Sequence, residues 1–403
     1  MSFPELSSPD KEITIRGPDE PKKNRPDTPA ILKHSGLFLL TFITVTFVGI
    51  MWVGQTAHAD GVLDMLPEGI LFAAVFLMFL ACHEFGHYFA AVYHNIRVTL
   101  PYFIPVPFGI GTLGAVIRIK EKINDSRKLF DIGVAGPIAG FIISLGTLIY
   151  GFATLPGPEF ISNFAGHEEV IAHVEEHGTW PDTPPEETEG MLIVFGNTIL
   201  YSFVESFFDN APPMWEMYHY PFLFAGWLGL FFTALNLMPV GQLDGGHILY
   251  SLIGYRNHRK VARITFGAIT ALAGIEAIPF LHGALVEWSA AFASFSPVLW
   301  ALILYFLVRR AFNNDHTWML PVLLASLLIS TGYLFLIGSG MEQTGSLIWL
   351  VWSFFLAYFV GLEHPPALYE KNLTPTRKVL GWTSMAIFVL CISPNPIYFL
   401  NGM

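Results

Sequence analysis

Charge and cysteine are scarce in this sequence. Of its 403 residues only 13% are Asp, Glu, Lys or Arg, 53% are hydrophobic, and the mean hydropathy is +0.51. Such a composition excludes an ordinary soluble protein and predicts a chain embedded in a lipid bilayer. The two cysteines, Cys82 and Cys391, lie in separate apolar runs, which excludes a disulfide framework and a thiolate zinc cluster.

Lysine and arginine are absent from long parts of the chain. The segments 55–68, 151–221, 282–294 and 339–344 contain none, and the basic residues are concentrated between them. Nine membrane crossings make basic and non-basic connections alternate, so the positive-inside rule predicts a cytoplasmic N-terminus and an extracytoplasmic C-terminus. Because the basic residues follow this topology, nucleic-acid binding is not expected.

The apolar runs predict an all-α polytopic membrane protein with about nine transmembrane helices. A helix rises about 1.5 Å per residue and needs roughly 20 apolar residues to cross the hydrocarbon core. A further apolar run at 191–208 is expected to be a re-entrant or surface-lying helix, since a tenth crossing would break the charge alternation. The expected spans are 36–54, 69–93, 132–153, 222–252 with an interruption, 261–281, 295–308, 319–338, 345–362 and 379–400.

This topology divides the chain into four parts. Residues 1–35 mix charges of both signs with proline and are expected to form a disordered cytoplasmic tail. The first transmembrane helix and an outer loop follow at 36–68, a membrane core at 69–254, and additional C-terminal transmembrane helices at 255–403. The core includes a loop at 156–218, which has no Lys or Arg and is therefore expected to be extracytoplasmic.

The connection between the second and third spans is rich in proline and glycine. It reads "VTLPYFIPVPFGIGTLGAVIRIK" over residues 98–120. Its prolines prevent a regular helix, and its β-branched residues predict short extended segments joined by turns. Such backbone is tolerated at membrane depth only where it is buried in protein or lines a wet cavity. We therefore expect a re-entrant extended or β-hairpin segment near the active site.

The second span contains the pattern His-Glu-Phe-Gly-His at residues 83–87. On a helix, His83 and His87 lie one turn apart, so both imidazoles can bind one metal ion. Glu84 is then placed to take a proton from water rather than to bind the metal. The pattern also arises by chance in soluble helices. Ionisable residues inside an apolar span are costly and usually functional, which favours one catalytic Zn²⁺ here.

A catalytic zinc site needs a third protein ligand. The candidate is Asp244 in "NLMPVGQLDGGH", residues 236–247, where a proline interrupts an apolar run. Counting residues to the nearest basic residue at 1.5 Å per residue puts His83, His87 and Asp244 at a similar membrane depth. Two alternatives stay open: Asp244 could cap the helix that follows it, and His247 could bind the metal instead.

These motifs resemble those of the site-2 protease family of intramembrane zinc metalloproteases. The matching residues are the pentapeptide 83–87 and Asn236-x-x-Pro239-x-x-x-Leu243-Asp244-Gly245. The resemblance implies that the two His and Asp244 bind zinc, that Glu84 is the catalytic base, and that the substrates are transmembrane proteins in a lipid bilayer. The runs "GTLGAVIRIK" and "FDIGVAGPIAGF" are similar to sequences of the family branch that is related to plastid EGY proteases. This chain differs from many family members at Gly140, where they carry Asn.

The resemblance also implies how a substrate is held. The extended segment at 98–120 is expected to receive an unwound helix by strand addition. Asn236 is expected to hold substrate backbone or a developing oxyanion, with a helix-packing hydrogen bond as the alternative.

A substrate-binding pseudoprotease and a zinc transporter remain alternative functions, and a homo-oligomer is left open. Six acidic groups within 1–35 disfavour a plastid transit segment and favour a prokaryotic cytoplasmic membrane.

The 156–218 loop carries a second group of polar residues. Glu169, His173 and His177 recur every four residues and are expected to share one helical face. A solvated face explains this spacing, and a secondary metal-binding or pH-sensing role is the alternative.

Overall fold

Helices make up most of the structure, a computed structural model that describes residues 26–57, 59–184, 191–337 and 347–401. Two small antiparallel sheets accompany them in this part of the chain. The helices are α1 Thr28–Val53, α2 Leu66–Tyr93, α3 Ser126–Ala153, α4 Glu168–His177, α5 Ile199–Glu205, α6 Pro221–Leu237, α7 Asp244–Val286, α8 Ala290–Ala293, α9 Ser296–Ala311, α10 His316–Ile337, α11 Ile348–Phe355 and α12 Pro375–Cys391. The strands are β1 Tyr102–Pro105, β2 Thr112–Val116, β3 Met191–Phe195 and β4 Ile397–Asn401.

Five helices among the described residues are long and apolar enough to cross a membrane, namely α1, α2, α3, α7 and α10. Shorter apolar helices are α6 and the stretch Ile348–Val360, where α11 continues into a π-helical turn. The 43-residue α7 breaks at Gly254, whose φ of 76° is left-handed, so it consists of two helical segments. The mainly helical architecture is confirmed and includes helices that suit a membrane, whereas nine crossings stay a prediction.

The first helix begins earlier than expected. α1 starts at Thr28, inside the segment predicted to be a disordered tail, because the Asp27 side chain accepts a hydrogen bond from the backbone N–H of Ala30 and caps the helix. The expected tail boundary at residue 35 is therefore wrong. Residues 1–25, which make up most of that predicted tail, lie outside the described residues.

Two segments expected to be helical each contain a strand. In the 191–208 run, β3 precedes the short helix α5, and in the 379–400 run, α12 ends at Cys391 before β4 begins. Pro394 and Pro396 follow α12 and prevent it from continuing. β3 and β4 pair antiparallel, with Ile193 opposite Phe399. We expected a re-entrant or surface-lying helix at 191–208 and a full span at 379–400. Instead, each segment contributes one strand to a sheet that joins these two distant parts of the chain.

The helices α2, α3 and α6 pack closely because small residues lie at their contacts. A Cβ added to Gly86 of α2 would approach the carbonyl oxygen of Ala135 in α3 to 2.6 Å. One added to Gly226 of α6 would approach the backbone nitrogen of Leu148 to 3.0 Å. Glycine at such positions permits helix backbones to approach in a membrane bundle. This packing turns the polar motif of α2 toward α3 and the connection between α6 and α7.

The predicted extended segment forms a β-hairpin between α2 and α3. β1 and β2 are antiparallel, with Tyr102 opposite Val116 and Phe103 opposite Ala115. β1 lies against α1, where the Phe38 and Phe103 ring centroids are 4.9 Å apart. β2 lies on the side of the polar residues of α2. The structure has a β-hairpin in this segment, and its re-entrant placement in a membrane stays a prediction.

Candidate metal centre

Two histidines of α2 meet at the centre of the helix packing. The Nε2 atoms of His83 and His87 are 3.1 Å apart, as expected for residues one helical turn apart on one face. The residues are only 3% and 6% exposed. Glu84 is buried beside them. The sequence motif therefore places two imidazoles and one carboxylate in a single buried region.

Asp244, which belongs to the second motif at residues 236–247, lies in the same region. α6 ends at Leu237, and Asp244 begins α7 after a short connection. Gly245 is required there, because a Cβ on this residue would overlap the carbonyl oxygen of Leu237. Asp244 Oδ2 lies 3.2 Å from His87 Nε2 and 3.4 Å from His83 Nε2. The expected alternative, a helix-capping hydrogen bond, is not seen at this helix end.

The three ligand atoms fit one zinc ion. Metal–ligand distances of about 2.0 to 2.1 Å in a tetrahedral site separate neighbouring ligand atoms by about 3.3 Å, and the observed separations are 3.1, 3.2 and 3.4 Å. The Nδ1 of His87 donates to the carbonyl oxygen of Ile132 at 2.7 Å, since a carbonyl can only accept. This bond leaves the Nε2 lone pair of His87 free to bind a metal.

A cavity of about 430 Å³ surrounds this centre. Its lining includes Glu84, all three candidate ligands, and residues of β2, α3, α6 and α7. The side chain of Asp244 is 18% exposed, so solvent reaches the centre through the cavity. A water molecule and a peptide segment could therefore both approach the candidate ligands, which a catalytic site requires and a sealed structural site does not.

Asn236, predicted to contact substrate or an oxyanion, lies on the cavity wall. Its side chain is half-buried, and it has no hydrogen-bond partner within the described part of the chain. The alternative of a helix-packing hydrogen bond is thus not seen there. Gln242 also lines the cavity. Sequence reasoning did not single out Gln242, although its position two residues before Asp244 could have pointed to it.

His247, the alternative metal ligand, lines the cavity but pairs elsewhere. Its Nδ1 lies 2.8 Å from Nε2 of His364, which stands after α11 and was not singled out from the sequence. Among the described residues, His83, His87 and Asp244 form a metal-binding group, and His247 does not belong to it. The geometry therefore favours Asp244 over His247 as third ligand.

The polar face predicted in the outer loop is present on α4. The rings of His173 and His177 stack with centroids 4.4 Å apart, and His177 Nδ1 lies 3.2 Å from the carbonyl oxygen of His173. Among the described residues, Glu169, His173 and His177 do not converge into a metal-binding group. The secondary role suggested for them thus gains no support from the geometry.

Comparison with known proteins assigns the family. The family model described as peptidase family M50 matches residues 71–275, slightly more than half of the chain. The chain therefore belongs to peptidase family M50. This result confirms the resemblance to the site-2 protease family.

Several curated relatives carry related names. "Probable zinc metalloprotease EGY1, chloroplastic" of Oryza sativa subsp. japonica is 32% identical over 191 residues, which are 47% of this chain and 28% of the relative. The protein of the same name from Arabidopsis thaliana is 30% identical over 197 residues, 47% of this chain and 30% of the relative. "Probable zinc metalloprotease EGY2, chloroplastic" of Arabidopsis thaliana is 29% identical over 221 residues, 54% and 34% respectively.

The chain spans about a third of the length of these curated relatives. Their names bear out the expected similarity to the EGY branch. They describe chloroplast proteins, and so they lend no support to the expected prokaryotic membrane. No solved structure matches the chain.

Proposed function

We propose that the chain is a zinc-dependent intramembrane endopeptidase, which hydrolyses peptide bonds within or next to the transmembrane segments of membrane proteins. One observation carries the proposal. The cavity that holds Glu84, His83, His87 and Asp244 lies between helices whose length and hydropathy suit a bilayer. A site on such helices is accessible to a substrate segment that lies in the bilayer, and it therefore suits a peptidase of membrane segments better than a peptidase of soluble substrates.

In this proposal His83, His87 and Asp244 hold one zinc ion and Glu84 is the general base. When bound, zinc supplies Lewis-acid chemistry, since it acidifies water and polarises a carbonyl group. Glu84 takes a proton from the attacking water and passes it to the leaving amine nitrogen.

The hairpin provides a place for the substrate backbone. A transmembrane helix must unwind before a peptide bond in it is accessible, and its freed N–H and C=O groups then need new partners. β2 is paired with β1 on one side, and its other side faces the cavity. An extended substrate segment can add to this edge as a third strand. Asn236, which also lines the cavity, is then available to hold a substrate carbonyl oxygen.

We further propose a topology with the N-terminus in the cytoplasm and the C-terminus outside. The pairing of β3 with β4 supports it, because it puts the last described residues beside the 156–218 segment, which lacks basic residues. The protease core at 69–254 and the additional helices at 255–403 stay predictions. A prokaryotic cytoplasmic membrane rests on the sequence argument alone.

The decisive experiment compares the wild type with Glu84→Gln in lipid vesicles. Bound zinc is measured by mass spectrometry, together with cleavage of a reporter that has one transmembrane segment. We expect equal zinc in both proteins and a loss of cleavage of at least about 100-fold in the variant, the usual contribution of a general base. Equal cleavage by both would refute the role of Glu84. Reporter binding without cleavage in the wild type would indicate a pseudoprotease, and zinc flux into the vesicles a transporter.

A further inference from the structure

A second set of metal-binding side chains lies in the outer segment, away from the cavity. His167 precedes α4, while Glu216 and His219 belong to the turn that precedes α6. The two Nε2 atoms are 3.1 Å apart, and Glu216 Oε2 lies 3.2 Å from that of His167 and 3.4 Å from that of His219. These separations equal those among His83, His87 and Asp244.

Backbone contacts fix both imidazoles in the form that binds a metal. His219 Nδ1 donates to the carbonyl oxygen of Trp52 at 3.2 Å, and His167 Nδ1 donates to that of Ala165 at 3.2 Å. Since a carbonyl oxygen only accepts, each neutral ring carries its proton on Nδ1 and directs the Nε2 lone pair inward. In this neutral form, two Nε2 lone pairs and a carboxylate oxygen face one another.

Among the described residues, the Glu216 carboxylate has no ion-pair partner other than the two histidines. The side chain of Glu216 is 2% exposed, and its Oε2 makes no aligned hydrogen bond despite the short distances to both rings. Residues 151–221 contain no lysine or arginine that could neutralise it. A buried carboxylate needs a counter-charge or a metal, because its desolvation is costly. A cation at the centre of the triangle would satisfy all three atoms at once.

We propose that His167, Glu216 and His219 form a second zinc site, distinct from the catalytic one. Two imidazoles and one carboxylate are a ligand set that zinc accepts. The side chain of His167 is 17% exposed, which gives an ion a way in. The site links three segments: the end of α1 through the Trp52 carbonyl, the loop before α4, and the turn that starts α6. Its role is to hold the acidic outer segment against the end of α1 and the start of α6.

The test counts zinc in the full-length protein after equilibration with zinc and removal of loosely bound ion. We expect two zinc ions per chain in the wild type, one in the double variant His83→Ala/His87→Ala, one in His167→Ala, and none when all three changes are combined. His177→Ala is the matched control, since it removes an exposed imidazole of the same segment and should leave two. One zinc in the wild type that disappears in the His83→Ala/His87→Ala protein would overturn the proposal, and so would an unchanged count in His167→Ala.

A second measurement separates loss of metal from loss of fold. In the His83→Ala/His87→Ala background, His167→Cys replaces an imidazole with a thiolate, which also binds transition metals. Loaded with cobalt, this protein should show a thiolate-to-cobalt charge-transfer absorption that the same background without the cysteine lacks. A folded protein with cobalt bound but no such absorption would show that residue 167 is not a ligand, and that the group is only a hydrogen-bonded pair of histidines.

Discussion

The backbone of Gly136 lies directly against Nε2 of His87, so that a Cβ added to this glycine would overlap the ring. The contact exists because α3 passes across α2 at its polar motif, with Ala135 next to Gly86 in the same contact. Any side chain at Gly136 would therefore intrude on the atom proposed to bind zinc. The Ala135-Gly136-Pro137 run thus packs against the candidate metal centre, although it supplies no ligand.

Gly136→Ala is expected to lower zinc affinity at least about tenfold, the usual scale for disturbing a residue that supports a ligand. The added methyl group pushes the His87 ring away from His83 and Asp244. Zinc content and reporter cleavage should fall together. Gly146→Ala on the same helix is the control, since nothing lies within 4 Å of the added Cβ. If both variants kept full zinc, the close contact would have no bearing on metal binding.

Asp244→Ala and His247→Ala distinguish the two candidates for the third ligand. Asp244 Oδ2 lies 3.2 Å from His87 Nε2, whereas His247 Nδ1 is paired with His364. Asp244→Ala should therefore reduce zinc occupancy of the catalytic site strongly, and His247→Ala should leave it unchanged. Zinc is counted in a His167→Ala background, so that the proposed second site does not contribute. The opposite pattern would make His247 the ligand.

Leu113 tests the hairpin as a substrate-binding surface. It lies on β2, lines the cavity, and is 66% exposed. If a substrate strand covers it, Leu113→Asp should lower kcat/KM by about tenfold or more, because burial of a leucine contributes about 1.5–3 kcal/mol. Phe108→Asp is the matched control, since Phe108 is 64% exposed in the turn of the same hairpin and is outside the cavity lining. Zinc content should be unchanged in both, and an equal loss of activity would count against strand addition.

The site residues singled out from the sequence lie together in the structure, whereas several predicted helical spans differ from the observed elements. His83, Glu84 and His87 follow from helical spacing, and Asp244 from the need for a third ligand next to a broken helix. The group of His167, Glu216 and His219 was missed. Glu216 and His219 stand three residues apart, but only tertiary structure brings the distant His167 to them. The regular spacing of Glu169, His173 and His177 could not reveal this group, because spacing along one helix records only which side chains share a face.

The helical expectations failed where pairing between distant segments decides the structure. The apolar residues of 191–208 and 379–400 suit a helix locally, but β3 and β4 satisfy each other's backbone groups. Hydropathy measures length and composition, and these do not reveal a partner strand far away in the chain. The start of α1 at Thr28 was equally hidden, since one capping side chain, Asp27, outweighs the polar composition around it.

Arg263 is expected to hold the C-terminal helices together. Its buried guanidinium donates to Asp315 and to Glu363, at 2.6 Å each, and thereby joins α7 to the start of α10 and to the segment after α11. Arg263→Met removes both bonds and should lower the apparent melting temperature by roughly 4 °C at neutral pH. Arg256→Met is the control, since Arg256 is exposed and has no hydrogen-bond partner within the described residues.

The effect of Arg263→Met should also depend on pH. Burial acts to raise the pKa of Glu363, but the hydrogen bond from Arg263 and the charge of Arg259 outweigh it and hold this pKa below its usual range. Stability from a depressed carboxyl pKa is present above the unfolded-state pKa of about 4.3 and is lost as pH falls through the folded-state pKa. The melting difference between wild type and Arg263→Met should therefore shrink as pH falls from 7 to below 4. A constant difference across that range would mean that packing of the arginine, rather than its ion pairs, stabilises the contact.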